Sequence, residues 1–121
     1  MNLLLIAIGG ALGSVARYAF STGVLRATGS LFPAGTFAVN VLGCAVFGGI
    51  IGAAQQRFIL TPELRAFLLV GLLGGFTTFS SYAFESFALL RDGQFASAAL
   101  NIVGQVVGGL AGFWMAYVLT N

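Results

Sequence analysis

The chain has 121 residues, of which 59% are hydrophobic and only 7% are charged, and it contains no histidine and no lysine. So little charge is unusual for a soluble domain of this length. The formal net charge of +2 is too small to suggest a nucleic-acid partner. The single cysteine, Cys44, excludes an internal disulfide framework and a cysteine metal cluster, and it is interpreted as a small core residue.

Long apolar runs separated by short connections predict an all-helical membrane protein. A spanning helix needs about 20 mostly apolar residues, so the chain has room for four. We expect one transmembrane domain over residues 1–121, with spans at residues 3–25, 35–56, 63–90 and 95–119. The third span has a clear start signal, because Thr61 can cap a helix that has Pro62 and Glu63 in its first turn.

The first two spans each carry one polar residue at membrane depth. Arg17 lies late in the first span, where it either belongs to a functional site or extends towards the headgroups, and both interpretations have equal weight. Asn40 lies in the second span, where an amide needs hydrogen-bond partners. It is either a contact between helices, which is the favoured interpretation, or a group facing a pore.

The third span contains the most informative stretch, GLLGGFTTFSSYAFE at 71–85. Adjacent glycines followed by four hydroxyl residues are costly inside a membrane helix, because freed backbone groups must find partners within the protein. We interpret this stretch as a broken helix at a functional site. The alternative is a continuous helix whose hydroxyls bond back to their own backbone and whose glycines only permit close packing.

The polar residues inside the spans favour a small anion over a cation as ligand. Asn101 and Gln105 lie one helical turn apart in the fourth span and share a face. Amides and hydroxyls donate hydrogen bonds, aromatic ring edges are electropositive, and Arg17 adds a positive field. No nucleophile–base pair or phosphate loop is visible, so an enzyme is not expected.

The arginines do not define one orientation in the membrane. Four spans place both termini on one side, together with Arg57 and Arg65, and leave Arg26 and Arg91 on the other. The positive-inside rule therefore gives no preferred orientation. This balance is expected of a chain that inserts in both directions, and also of a chain with a weak bias.

Four segments in chain order resemble the Fluc (CrcB) fluoride channel family. They are GSVARY at 13–18, GTFAVNVLG at 35–43, GGFTTFSSYAFE at 74–85 and ALNIVGQ at 99–105. The resemblance implies an antiparallel, dual-topology homodimer in the bilayer of the bacterial inner membrane. It also implies two pores at the dimer interface, passive export of fluoride, and a structural Na⁺ held by carbonyl groups of both subunits.

The resemblance further assigns roles to individual residues. The break of the third helix falls at residues 74–77, and the carbonyls of Gly74 and Thr77 hold the Na⁺. Phe79 matches the first phenylalanine of a ring-edge site, and Tyr82 stands where the family usually has a second one. The other matching ion-pathway positions are Arg17, Asn40, Ser80, Ser81, Asn101 and Gln105. Glu85 matches an acid of the same motif, with no role assigned.

Two other classes of membrane protein have comparable size. Small multidrug exporters also have four helices and dual topology, and they resemble proton-coupled exchangers with an essential glutamate in the first span. Here the first span has no acid, and the acid inside a span is Glu85 in the third. A holin-like assembly protein would not need polar residues inside three spans.

Overall fold

The computed structural model describes residues 1–121 and consists of helices joined by short loops, with no strand. Helix α1 covers Asn2–Thr28 and α2 covers Ala34–Gln56. We name residues 62–76 α3, which comprises an α-helical start at Pro62–Arg65, a π-helix at Ala66–Leu73 and a last turn at Gly74–Phe76. Helix α4 covers Phe79–Arg91 and α5 covers Phe95–Thr120.

Four segments are long and apolar enough to cross a membrane, namely α1, α2, the combined run Pro62–Arg91, and α5. This confirms the prediction of four spanning helices in an integral membrane protein. The observed ends differ from the predicted ends by three residues at most, at the end of α1. The third span starts as expected, with Thr61 Oγ1 accepting a hydrogen bond of 3.2 Å from the Leu64 N–H.

The third span is broken within the stretch that the sequence indicated, but at Thr77 and Thr78, the far end of the expected range 74–77, and not at the glycines themselves. Gly74 is helical, with φ −61° and ψ −38°, and Gly75 lies in the same turn. The extended residues are Thr77, at φ −81° and ψ 156°, and Thr78, at φ −149° and ψ 116°. β-branched threonines suit extended backbone, so they tolerate the break without needing a glycine.

Gly75 serves close packing instead of chain flexibility. A Cβ atom on Gly75 would lie 2.6 Å from the carbonyl oxygen of Gly10 on α1, which is closer than a real contact allows. Gly9 and Gly13 of α1 likewise lie against the backbone of α3, at Phe67 and Leu72. Small residues on both helices therefore bring α1 and α3 into backbone contact.

The most extensive helix contacts are α2 against α5 and α1 against α3, and α1 also packs against α2 and α4 against α5. Only 19 of the 121 residues are buried, and large apolar side chains such as Phe84, Leu110 and Trp114 are more than half exposed. An outer surface this apolar must contact lipid or another protein surface. The break between α3 and α4 lies beside α2 and α5, which carry the other polar residues.

Candidate functional site at the break of the third span

The Asn40 side chain holds the backbone of Thr78 at the break. Asn40 Oδ1 accepts a hydrogen bond of 2.8 Å from the Thr78 N–H, and Asn40 Nδ2 donates one of 3.0 Å to the Thr78 carbonyl. Thr78 itself is 8% exposed, so its backbone groups would otherwise lack partners in an apolar surrounding. Asn40 thus supplies the hydrogen bonds that the extended backbone cannot form with its own helix.

Asn40 also begins a line of hydrogen-bonded side chains that crosses to α5 and α4. Asn40 Nδ2 donates to Gln105 Oε1 at 2.7 Å, and Gln105 Nε2 donates to Asn101 Oδ1 at 2.8 Å. Asn101 Nδ2 then donates to the Ser86 hydroxyl at 2.9 Å. Asn101 is fully buried and Gln105 is 6% exposed. The two amides that the sequence placed on one face of the fourth span therefore lie in one network with Asn40.

The hydroxyl residues gather at the start of α4. Thr78 Oγ1 accepts a hydrogen bond of 3.2 Å from the Ser81 N–H and thereby caps α4. The same hydroxyl lies 3.1 Å from Ser81 Oγ and 3.4 Å from Ser80 Oγ. Ser80 is exposed and Ser81 is half-buried, so their hydroxyls form a polar strip beside the break.

The two aromatic residues of α4 differ in how firmly they are held. The rings of Phe79 and Tyr82 pack at 5.5 Å between centroids with a 40° tilt. Phe79 is 79% exposed, whereas the Tyr82 hydroxyl donates a hydrogen bond of 2.8 Å to the Ile102 carbonyl on α5. The hydroxyl on this ring is therefore engaged with the backbone of α5, and it ties α4 to α5.

Arg17 extends to the break. Its Nη1 atom donates a long hydrogen bond of 3.4 Å to the Thr77 carbonyl, and the side chain is half-buried. Of the two interpretations that the sequence left open, this conformation corresponds to placement at the polar site. The guanidinium brings a positive charge next to the extended backbone.

Two carbonyl groups at the break are free of their usual helical donors. In a helix the Gly74 carbonyl would accept from the Thr78 N–H, but that group donates to Asn40. The Thr77 carbonyl would accept from the Ser81 N–H, which donates to the Thr78 hydroxyl, and so it accepts only from Arg17. Gly74 is exposed and Thr77 is half-buried. Both predicted metal ligands thus have carbonyl oxygens with spare acceptor capacity at the break.

The sequence interpretation did not include Thr36 and Ser86. Thr36 Oγ1 donates a hydrogen bond of 2.9 Å to Glu85 Oε1, while Glu85 Oε2 is buried without a partner. Thr36 precedes Asn40 by one helical turn, so its position on the same face was a usable signal. Ser86 gave no comparable signal, because its link to Asn101 depends on how α4 packs on α5.

A cavity of about 380 Å³ opens beside the break on the surface of the protein. Its lining residues are Asn40, Gly43, Cys44, Phe47, Thr77, Thr78, Phe79 and Phe113. No acidic side chain lines this cavity, and no cluster of histidine, cysteine, aspartate or glutamate suited to a metal ion occurs in the protein. Such a surface has hydrogen-bonding groups and aromatic rings but no anionic charge to repel an anion.

Comparison with known proteins assigns the chain to a family. The model of the family described as CrcB-like protein, Camphor Resistance (CrcB), matches residues 4–117. The chain belongs to the CrcB-like family. The match includes α1, the break and both amide residues of α5, so the entire candidate site falls within the CrcB-like region.

Curated CrcB-like relatives align over nearly their full length. A protein of Nitratidesulfovibrio vulgaris named fluoride-specific ion channel FluC is 48% identical over 94% of this chain and 92% of its own. A protein of the same name from Geobacter sulfurreducens is 48% identical over 93% of this chain and 91% of its own length. A third protein of this name, from Anaeromyxobacter dehalogenans, is 47% identical over 99% of this chain and 95% of its own length.

Proposed function

We propose that this chain is a fluoride-selective ion channel of the bacterial inner membrane that lets fluoride leave the cell passively. The observation that carries the proposal is the similarity to proteins named fluoride-specific ion channels. They are 47–48% identical to this chain over nearly its full length. The site agrees in its chemistry, because hydroxyls, amides, ring edges and an arginine surround a break whose cavity has no acidic lining.

The protein acts as an antiparallel homodimer with two pores at the interface. The break lies at the subunit surface, where Gly74, Phe79 and Ser80 are exposed. Non-helical backbone at membrane depth is not tolerated against lipid, but it is tolerated when protein or a wet cavity covers it. A second copy related by a two-fold axis covers both breaks with the same residues, and the balanced arginines permit opposite insertion.

The function is tested by reconstituting purified protein in liposomes loaded with fluoride and following efflux with a fluoride electrode. Valinomycin and K⁺ compensate the charge, so a passive channel needs no other driving force. We expect fluoride efflux and no comparable chloride efflux. Equal release of chloride would contradict the selectivity, and fluoride release that strictly needs a proton gradient would favour a coupled exporter.

A Na⁺ ion at the dimer axis is the second part of the proposal. The carbonyl oxygens of Gly74 and Thr77 lack their helical donors, and neutral oxygens of a broken helix suit a small hard cation. Glu85 lies about two helical turns beyond the break, so no acid is placed to bind the ion. The two copies would supply the same atoms, and the bound ion would tie the subunits together.

We expect Na⁺ to stabilise the dimer even when no fluoride moves. Protein in detergent is exchanged into Na⁺, K⁺ or a bulky organic cation, and Tm and the dimer fraction are measured. An ion at a hundred times its Kd adds about 2.7 kcal/mol to the stability of the form that binds it. Equal Tm and equal dimer fraction in Na⁺ and in the organic cation would refute the site, while the flux result would stand on its own.

A further inference from the structure

We propose that Gln105 is a positioning residue that orients the break through Asn40, within a one-way line of hydrogen bonds from Thr78 to Ser86. The inference rests on the proposed function and adds to it the part of α5 that sets the geometry of the ion pathway. The line comprises Thr78, Asn40, Gln105, Asn101 and Ser86, and we name it the amide relay.

The backbone of Thr78 fixes the direction of the amide relay. A backbone N–H only donates and a carbonyl only accepts, so the Asn40 side chain must place Oδ1 on the N–H and Nδ2 on the carbonyl. The second proton of Asn40 Nδ2 then points at Gln105, which must present Oε1. Because the Gln105 oxygen accepts from Asn40, Gln105 has its Nε2 group left for its next partner.

The orientations of Gln105 and Asn101 follow in the same way. Gln105 must donate from Nε2 to Asn101 Oδ1, and Asn101 must therefore donate from Nδ2 to Ser86. Each of the three amides in the relay accepts a hydrogen bond on its oxygen and donates one from its nitrogen to the next member, so the bonds polarise one another in the same direction. Exchanging the oxygen and the nitrogen of any one amide would place two N–H donors, or two oxygen acceptors, against each other. The relay therefore has only one arrangement in which every hydrogen bond is formed.

The relay changes what Asn40 can do for an anion. Both protons of its amide are engaged, one on the Thr78 carbonyl and one on Gln105, so none remains for a ligand in this conformation. The protons without a protein acceptor are the second ones on Gln105 Nε2 and Asn101 Nδ2 and the hydroxyl proton of Ser86. Asn40 acts on the ion pathway by holding Thr78, and therefore Phe79, in place.

Gln105 is suited to this role by its length and burial. Its side chain spans from α5 to Asn40 on α2 and to Asn101 on its own helix, with both bonds shorter than 2.9 Å. It is 6% exposed, so water does not replace either partner easily. Substitution with methionine keeps the unbranched shape but removes the acceptor that engages Asn40 and the donor that engages Asn101.

The test compares Gln105→Met with wild-type protein by fluoride efflux at low protein-to-lipid ratio, where each vesicle holds one channel or none. We expect the efflux rate per active vesicle to fall about tenfold or more, the change that corresponds to one ordinary hydrogen bond. We also expect the preference for fluoride over chloride to weaken. Poor folding alone reduces the number of active vesicles and leaves both quantities unchanged.

Two further variants define the relay's geometry. Ser86→Ala removes the last acceptor, four hydrogen-bonded links from Thr78, and should reduce the rate per active vesicle less than Gln105→Met. Val118→Met adds a methionine at the far end of α5, where the residue is 54% exposed, and should match wild type. A wild-type rate and selectivity in Gln105→Met would overturn the proposal.

A stability measurement separates the relay from the proposed function. Tm is measured for Asn40→Ala, Gln105→Met and the double variant in detergent. If the two side chains act together, the double variant loses less than the sum of the single losses. Additive losses overturn the relay whatever the transport result. If the wild-type protein passes no fluoride, the proposed function fails, and this cycle still decides whether the two amides are coupled.

Discussion

Replacing Asn40 with aspartate should abolish fluoride flux. A carboxylate has no proton for the Thr78 carbonyl or for Gln105, so two hydrogen bonds of 3.0 and 2.7 Å are lost together. It also places a negative charge beside the cavity next to the break. Leaving a buried group unsatisfied costs about 1–3 kcal/mol, so the two lost bonds and the charge together predict a reduction of about a hundredfold or more.

The matched control for Asn40→Asp is Gln56→Glu. It introduces the same kind of charge at the exposed end of α2, away from the break, and should leave the rate per active vesicle unchanged. Both variants are compared in the liposome efflux assay at equal amounts of reconstituted protein. Normal flux in Asn40→Asp would show that Asn40 and the break lie outside the ion pathway.

Replacing Phe79 with isoleucine should have the second large effect. Phe79 is the first residue of α4, directly after the break, and the residue is 79% exposed. Its ring lines the cavity and packs on Tyr82 at 5.5 Å. Isoleucine keeps the apolar character but removes the electropositive ring edge that could face an anion. We expect fluoride flux to fall by at least about tenfold.

Phe84→Ile provides the comparison for Phe79→Ile, because Phe84 lies on the same helix, is 66% exposed and is absent from the cavity beside the break. It should retain most of the flux. Tyr82→Phe should have only a modest effect, because the ring stays while the hydrogen bond to Ile102 is lost. Unchanged flux in Phe79→Ile together with loss in Tyr82→Ile would contradict the assignment of the ring-edge site.

Hydropathy was sufficient to predict the four spans because each is long and predominantly apolar. The positions of their ends followed from local chemistry, such as Thr61 capping the third span. The position of the break did not follow in the same way. Adjacent glycines at 74 and 75 suggested that the helix opens there, but Gly75 is required by its contact with Gly10 and remains helical.

The side-chain partners at the site depended on packing between helices. The sequence indicated that Asn101 and Gln105 share a face and that Asn40 needs partners, yet three spans offered several possible pairings. The crossing of α2, α4 and α5 selects one of them, in which Asn40 bonds to Thr78 and Gln105. Arg17 was equally compatible with two environments, and only the position of α1 against α3 brings it to Thr77.

Passive, selective conduction of fluoride is tested most directly by recording currents across a planar bilayer that contains the purified protein. The two chambers hold opposing gradients of fluoride and chloride, so that the two anions drive current in opposite directions. We predict a reversal potential that follows the fluoride gradient alone and persists without a pH difference. A reversal potential set by chloride, or no current in the absence of a proton gradient, would contradict the account.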